Sequence, residues 1–400
     1  MSFALSLISA LLVAAAALLL VLVLVLVLQT LAAGVRRAGP DAPPAIRPRI
    51  AVLVPAHDEA AGIAAVIDAM RQQIMPSDRL VVVADNCSDD TAEVARRAGA
   101  EVLVRNDPSA RGKGYALDFG VRALASAPPE VVIIVDADCF ARPGALDRIA
   151  REAIASDRPV QASYLMHAPP GGPLKVRFAE FAWAFKSRAR AQGSWRMGLP
   201  CHLQGSGMAF PWRVIETAPL ASGHIVEDLQ LGLDLALHGH PPLFCPSAQV
   251  WSEFPTSATG LDSQRTRWEH GHLATLVHNG PRLLGCALAR RDIGLAALAL
   301  DLCVPPLAFL VLLLVSVLAL AAIAALAGAG PTALVISLTT LGLLIATIGA
   351  AWHRFGRSIL SLQELLTVPV HVLRKASIYR RFFGNRQKDW VRTERTGKDG

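Results

Sequence analysis

Residues 131–138 read VVIIVDAD. Five consecutive apolar residues of this kind suit a strand buried on both faces, as inside a parallel sheet. Side chains alternate along a strand with period two, so a strand ending in Asp136-Ala137-Asp138 would send both carboxylates to one side. Two like charges close together are costly unless a cation neutralises them. A hard divalent ion, Mg2+ or Mn2+, held by one or two carboxylates and substrate phosphates, suits that arrangement. Taken alone, D-x-D reads more readily as acidic turn residues after a strand, so the surrounding sequence has to decide.

Working back toward the N-terminus, the same type of strand recurs at 49–56 (RIAVLVPA), 80–85 (LVVVAD) and 101–105 (EVLVR). Helical spacing separates them at 59–74 (Ile63, Val66, Ile67, Met70), 91–98 and 113–125. Alternating strands and helices with near-continuous apolar strands predict an α/β fold, an open, mostly parallel sheet with helices on both faces. Ligands of such sheets bind beyond the carboxyl ends of the strands. Asp58 and Glu59, Asp85, and Asp136 with Asp138 all stand at such ends. The run ADNCSDDT at 84–91 could read a base or ribose through Asp85, or could be a solvated loop in which Asp90 or Thr91 caps the next helix. Neither G-x-G-x-x-G nor G-x-x-x-x-G-K-[ST] occurs, which argues against a dinucleotide dehydrogenase and a P-loop ATPase. Arg111-Gly112-Lys113-Gly114 offers a cationic loop ahead of a helix, where Lys113 could equally meet a phosphate or stand as a solvated surface lysine.

Toward the C-terminus, Glu227-Asp228 follows Gly223 and opens an amphipathic helix marked by Leu229, Leu231, Leu233, Leu235 and Leu237. Carboxylates at a helix start have an ordinary explanation in the helix dipole, worth about 0.3–1 kcal/mol. Gln264-Arg265-Thr266-Arg267-Trp268 supplies a reason to look further. Q-x-x-R-W sets Gln264, Arg267 and Trp268 near one helical face. A planar guanidinium can clamp a phosphate and an indole can stack on a sugar or ring.

The chain of 400 residues is 53% hydrophobic and only 18% charged, below the roughly 25% charge of soluble domains. Residues 1–35 carry no charge, and Ala4–Ala33 is longer than the roughly 20 apolar residues that span a bilayer. Its neutral start and long apolar run do not suit a cleaved signal peptide. Further spans are expected at 303–327 and 332–352, joined by the short uncharged link GAGPT. Arg36, Arg37, Arg47 and Arg49 follow the first span, and Arg354 and Arg357 the last. By the positive-inside rule, the polar middle and the C-terminus face the cytosol. The net charge is +7, and residues 353–400, with eleven Lys or Arg against four Asp or Glu, account for all of it. A basic tail beside apolar helices points to an anionic membrane face and away from nucleic acid. Segment 355–383 reads as amphipathic helices lying in the interface, broken at Pro369. The six cysteines show no C-x-x-C pair and no zinc-finger spacing, and read as reduced structural thiols. Cys201, His202 and His224 lie near motifs, but their spacing fits no metal site. The expected organisation is a transmembrane helix at 1–35, a cytosolic domain at 48–290, two transmembrane helices within 293–352 and a basic interfacial tail at 353–400.

In order, VPAHDEA, ADNCSDDT, RGKGYALDFG, D-A-D, GSGMAF, V-E-D and QRTRW resemble the family-2 inverting glycosyltransferases of GT-A fold. The likeness is greatest to the membrane-bound branch related to cellulose, chitin and hyaluronan synthases and to ceramide glucosyltransferases. The resemblance covers roughly 48–290. It implies a hexosyltransferase-type, metal-dependent enzyme that moves a sugar from a nucleotide-sugar donor, by family habit a UDP-sugar. The acceptor is expected to be a lipid, or a lipid-linked or other saccharide. It places Pro55, Asp58 and Glu59 at the nucleotide pocket, Asp85 at the base or ribose, and Lys113 near the diphosphate. Asp136 and Asp138 match the D-x-D, with Asp138 the more direct metal ligand, and Asp228 of the Glu227-Asp228 pair matches the catalytic base. Gly205, Ser206 and Gly207 fall in the acceptor-side loop. Gln264, Arg267 and Trp268 match the motif that closes over diphosphate and acceptor. The sequence departs from the family where Ala84 replaces the carboxylate that commonly precedes Asp85. Three spans favour a lipid or lipid-linked acceptor over a secreted polymer. A processive polysaccharide synthase and a non-catalytic, membrane-tethered nucleotide-sugar binding protein are the competing expectations.

Overall fold

A computed structural model describes residues 3–35 and 46–384; Arg36, Arg37 and the tail from 385 onward lie outside the described residues. The chain divides into two compact units. One takes in the described part of 36–172 together with 198–271. The other comprises the described residues up to 35, residues 173–197, and the chain from 272.

The first unit is built on an eight-stranded sheet. After the N-terminal helix α1 (Phe3–Gly34), which belongs to the second unit, come β1 (Ile50–Ala56), α2 (Ile63–Arg71), β2 (Arg79–Asp85), α3 (Thr91–Arg97), β3 (Glu101–Arg105), α4 (Lys113–Leu124), β4 (Val131–Ile134), β5 (Phe140–Ala141), α5 (Ala145–Ser156) and β6 (Val160–His167). The chain leaves this unit through α6 (Leu174–Ala184), a π-helical stretch at Phe185–Ala191 and α7 (Gln192–Arg196). It returns with β7 (Met208–Pro211), α8 (Trp212–Ile215), α9 (Glu227–Leu237), β8 (Leu243–Glu253) and the start of α10 (Ala258–Arg290). The strand order is β3-β2-β1-β4-β7-β6-β8-β5. β3, β2, β1 and β4 run parallel, as do β6 and β8, while β7 pairs antiparallel with both its neighbours and β5 antiparallel with β8. The parallel half matches the sequence expectation because its strands are buried on both faces: Val52, Leu53, Val81, Val83, Ile133 and Ile134 are all fully buried. Leu117, Val121 and Leu124 of α4 close the core over Leu53, Val81 and Val83.

One premise of the sequence reading is corrected. β4 ends at Ile134, two residues before Asp136. Asp136 to Cys139 form a turn, with the Cys139 amide donating to the Asp136 carbonyl at 3.0 Å. The two carboxylates converge through that turn and not through strand alternation.

Among the described residues, the second unit contains three helices long and apolar enough to cross a membrane: α1, α12 (Leu307–Leu326), and the helix Thr332–Gly356 made of α13 (Thr332–Ala351) and a π-helical end. Between α10 and α12 stands the shorter apolar α11 (Ile293–Cys303). The span expected from residue 303 starts instead at Leu307, because Pro305 and Pro306 supply no amide hydrogens to continue α11. α14 (Leu362–Leu366) and α15 (Val368–Gly384) follow. Their break falls at Thr367, leaving Pro369 in the first turn of α15, where a missing amide hydrogen costs nothing.

Polar contacts fasten α1 to the excursion at 173–197. Gln29 is buried on α1, and its Nε2 donates to Asp301 Oδ1 at 2.8 Å and to Ser194 Oγ at 3.2 Å. Arg190 donates to the same Asp301 oxygen through Nη2 at 2.7 Å and Nε at 3.1 Å. An ion pair so enclosed loses its solvation and holds only because each partner is hydrogen-bonded. Beside it, a Cβ on Gly193 would stand 2.6 Å from the Gln29 carbonyl carbon and 2.7 Å from its Cα. Backbone meets backbone there, as small residues permit between membrane helices. Gly193→Ala therefore destabilises this unit by about 1–3 kcal/mol, the range for overpacking. The check is the thermal midpoint of the purified full chain; an unchanged midpoint would contradict the close approach.

Candidate functional site

The carboxyl ends of β2, β1 and β4 are neighbours, so the loops that follow them share one edge of the sheet. After β1, Asp58 adopts a left-handed φ of 53°. Its Oδ1 accepts from the Ser88 amide at 2.6 Å and the Asp89 amide at 3.3 Å. The Glu59 amide donates to Thr91 Oγ1 at 2.7 Å. Asp58 and Glu59 thereby lock the β1 loop to the β2 loop, while Pro55 lies within β1, opposite Val83 of β2. Asp85 ends β2, buried, and its Oδ1 accepts from Arg105 at 2.6 Å and from Asn86 at 3.0 Å. The sequence by itself does not mark Arg105. Its signal lay in the register, since the last residues of β2 and β3 stand side by side as Asp85 and Arg105. The guanidinium of Arg105 also lies 5.7 Å from the Tyr115 ring centroid. Asp58, Cys87 and Asp89 bring one ligand atom each within 4.8 Å of one another, as do Asp136, Asp138 and Cys139.

Lys113 is the hub. As the first residue of α4, its side chain reaches across to pair with Asp136. Its Nζ also donates to the Gly205 carbonyl at 2.7 Å and lies 3.8 Å from Glu227 Oε1. The loop at Gly205-Ser206-Gly207 is shaped for this. Gly205 and Gly207 have φ of 92° and 68°, a region that disfavours side chains. Gln161, fully buried, anchors the loop by donating to the Ser206 carbonyl at 2.8 Å and accepting from the Gln204 amide at 2.7 Å. Ser206 Oγ accepts from the Asp136 amide at 3.1 Å. A Cβ on Gly205 would lie 3.3 Å from Asp228 Oδ2, 3.6 Å from Lys113 Nζ and 3.9 Å from Asp136 Oδ2. Asp136, Lys113, Glu227 and Asp228, spread over 116 positions of sequence, thus meet around one glycine.

Burial pushes the Glu227 carboxyl up to about 7, with Lys113 opposing and Asp228 adding to the rise. Burial likewise raises Asp136, against the pull of Lys113 and with a push from Asp138. Lys113 is held well above the ordinary lysine value: burial lowers it, but Asp136 and Glu227 outweigh that. A folded Glu227 value above the ordinary 4.5 contributes stability that is full below about 4.5 and is lost as pH rises through about 7. Glu227→Gln should flatten the fall in thermal midpoint across that interval; a slope equal to wild type would contradict the burial argument.

Glu227 and Asp228 also border a cavity of about 190 Å3 with Gly114, Leu220, Ser222 and His224. That is below the roughly 300–1,000 Å3 of pockets that bury a drug-sized ligand. Cys201 and His202 are buried away in the packing. Gln264, Arg267 and Trp268 share a helical face of α10 with Gly271, at i, i+3, i+4 and i+7. A Cβ on Gly271 would stand 2.6 Å from Val226 Cγ1, so this face is fastened immediately before Glu227.

This ordered set is that of a known family. The profile of the glycosyltransferase like family 2 matches residues 48–271, more than half of the chain, and the protein belongs to that family. A probable glycosyltransferase of Bacillus subtilis (strain 168), YdaM, is 26% identical over 243 residues, 56% of this chain and 55% of the relative. An uncharacterized glycosyltransferase of Mycobacterium tuberculosis (strain H37Rv), Rv0539, is 37% identical over 103 residues, 26% of this chain and 43% of the relative. The chain thus spans about half the length, or less, of these curated relatives. Among solved structures, the mannosyltransferase PcManGT from Pyrobaculum calidifontis, in complex with GDP-Man and Mn2+, superposes with a TM-score of 0.56 at 20% identity. The match covers 87% of this chain and 97% of that one. The GT-A fold of the sequence reading is the fold observed.

Proposed function

We propose that the protein is a membrane-bound glycosyltransferase that moves a sugar from a nucleotide-sugar donor, a UDP-sugar, to a lipid or lipid-linked acceptor, inverting the anomeric carbon. The observation that carries this reading is the convergence of Asp136, Lys113, Glu227 and Asp228 around Gly205. Asp228 is the general base: it borders the cavity and takes the proton of the attacking acceptor hydroxyl. Lys113 balances the carboxylates and offers a cation where the diphosphate lies, and Glu227 holds Lys113 in place. Arg267 and Trp268, on the face fastened by Gly271, close over diphosphate and acceptor. Pro55, Asp58, Glu59 and Asp85 form the nucleotide end.

The D-x-D turn fits a divalent cation. Asp136 and Asp138 bring one carboxylate oxygen each within 4.8 Å of one another, a like-charge approach that a cation relieves. Their oxygens are the hard donors that Mg2+ or Mn2+ takes. Asp138 and Asp136 would hold the ion, which when bound supplies charge stabilisation to the departing nucleoside diphosphate.

A membrane acceptor is supported by the composition of the unit that carries the three long apolar helices. Its segment 173–197 is basic: besides Arg177, paired with Glu364, and Arg190, paired with Asp301, it holds Lys175, Lys186, Arg188 and Arg196 against Glu180, a charge balance suited to anionic headgroups. The arginines after the first and third spans orient the catalytic unit to the cytosol. The test is a screen of UDP- and GDP-sugars with Mg2+ or Mn2+ and membrane lipid extract, reading released nucleoside diphosphate. Labelled lipid product supports the reading, a polymer ladder replaces it with a processive synthase, and no release with any donor replaces it with a binding protein.

A further inference from the structure

Behind the D-x-D turn lies a buried polar chain that the proposed chemistry leaves unused. Cys139, fully buried, follows Asp138 directly, and its Sγ lies 3.4 Å from Asp138 Oδ1 and 3.6 Å from the Tyr164 hydroxyl. The Tyr164 hydroxyl lies 2.8 Å from Ser252 Oγ. Tyr164 is 5% exposed and Ser252 not at all. A thiol carries one hydrogen and a carboxylate only accepts, so the thiol donates to Asp138. The tyrosine hydroxyl then faces the sulfur and Ser252.

The sheet builds this chain deliberately into its edge. β6 carries Tyr164 and β8 carries Ser252, and the β6–β8 register is displaced between Ala162 and Ser163, where Cys245 gives way to Gln249 as the facing residue. Such bulges re-aim the side chains that follow them. The short β5 then clamps the D-x-D turn to the same strand, pairing Phe140 with Trp251, their rings stacked at 5.0 Å. Residues 251 and 252 of β8 thus restrain residues 140 and, through Tyr164, 139. At the other carboxylate, Ser206 Oγ takes the Asp136 amide. Ser206 is also a side-chain partner of Cys139, so the supports of the two carboxylates meet behind the turn.

We propose that Cys139 is a positioning residue for the divalent-cation site, fixing the Asp138 carboxylate for ligation, and that Tyr164 and Ser252 act through it. Outer partners of metal ligands set ligand orientation, and their loss typically costs 10- to 100-fold in metal affinity. A thiol is a weak donor, so the lower end applies. This inference rests on the reading of Asp138 as a cation ligand.

The test is Mn2+ binding to the full-length protein in detergent, followed by electron paramagnetic resonance, with Mn2+ alone and with UDP or GDP added. Cys139→Ala should weaken Mn2+ binding about tenfold. Cys139→Ser, which keeps a donor on a shorter bond, should recover part of that loss. Tyr164→Phe should cause a smaller loss, and its combination with Cys139→Ala should bind no more weakly than Cys139→Ala alone, because residues in one chain are not additive. In turnover assays the Mn2+ requirement should rise while kcat at saturating Mn2+ holds, a split that general destabilisation does not give. Wild-type affinity in folded Cys139→Ala, or multiplying losses in the double variant, overturns the inference. If Cys139→Ala does not fold, wild-type affinity in Tyr164→Phe overturns it. Wild-type protein that binds no Mn2+ with either nucleotide overturns the ligand reading and this inference together. Normal wild-type binding with unaffected variants overturns this inference alone.

Discussion

Asp228→Asn is expected to lower kcat by about 10²–10⁴-fold, the usual contribution of a positioned general base, while donor and Mn2+ binding stay near wild type. The substitution keeps the shape of the side chain and removes only its ability to take a proton. Its neighbour gives the contrast. Glu227 Oε1 faces Lys113 Nζ at 3.8 Å, and its carboxyl sits near 7 through burial. Glu227→Gln therefore disturbs the charge balance around Lys113 and is expected to raise the donor KM. Single-turnover transfer with saturating donor separates the two. Near-normal turnover in Asp228→Asn would remove the base assignment, and a loss confined to Glu227→Gln would transfer the role to Glu227.

The sequence showed the parallel half of the sheet well. Its strands are two-faced apolar runs with helical spacing between them, and that pattern needs no partner to be read. The antiparallel half was not legible in the same way. β7 at Met208–Pro211 and the two-residue β5 are too short to carry a period, and the long β8 is interrupted by its own bulge. The acidic residues were found because each follows a strand or opens a helix. What joins them was not: the reach of Lys113 to Gly205 and Glu227 depends on two glycines with positive φ, and no spacing rule encodes it. The D-x-D geometry was right in outcome and wrong in cause, since a turn two residues past the strand end does what alternation was expected to do. Arg105, Cys139 and Tyr164 escaped notice because they read as a strand-end arginine, a lone thiol and a core tyrosine until the pairing of strands put each beside a carboxylate or its support.

Asp138→Asn should abolish the stabilisation that Mn2+ and nucleotide together confer, while leaving the metal-free protein at least as stable as wild type. Asp136 and Asp138 bring one carboxylate oxygen each within 4.8 Å of one another, and burial raises Asp136 against the pull of Lys113, with Asp138 adding to the rise. Removing one charge relieves that repulsion, and the amide keeps a polar group for the Cys139 thiol. With cation, the balance reverses. A ligand present at 100 times its Kd stabilises the folded state by about 2.7 kcal/mol, and an amide in place of a carboxylate should forfeit more than the roughly 100-fold affinity that outer partners alone can cost. The thermal midpoint of the full chain, with and without Mn2+ plus UDP or GDP, reads both arms. Wild type should gain from the ligands and Asp138→Asn should not. A variant that is less stable without metal yet gains normally with it would make Asp138 a structural residue, and would leave the like-charge pair without a reason to be there.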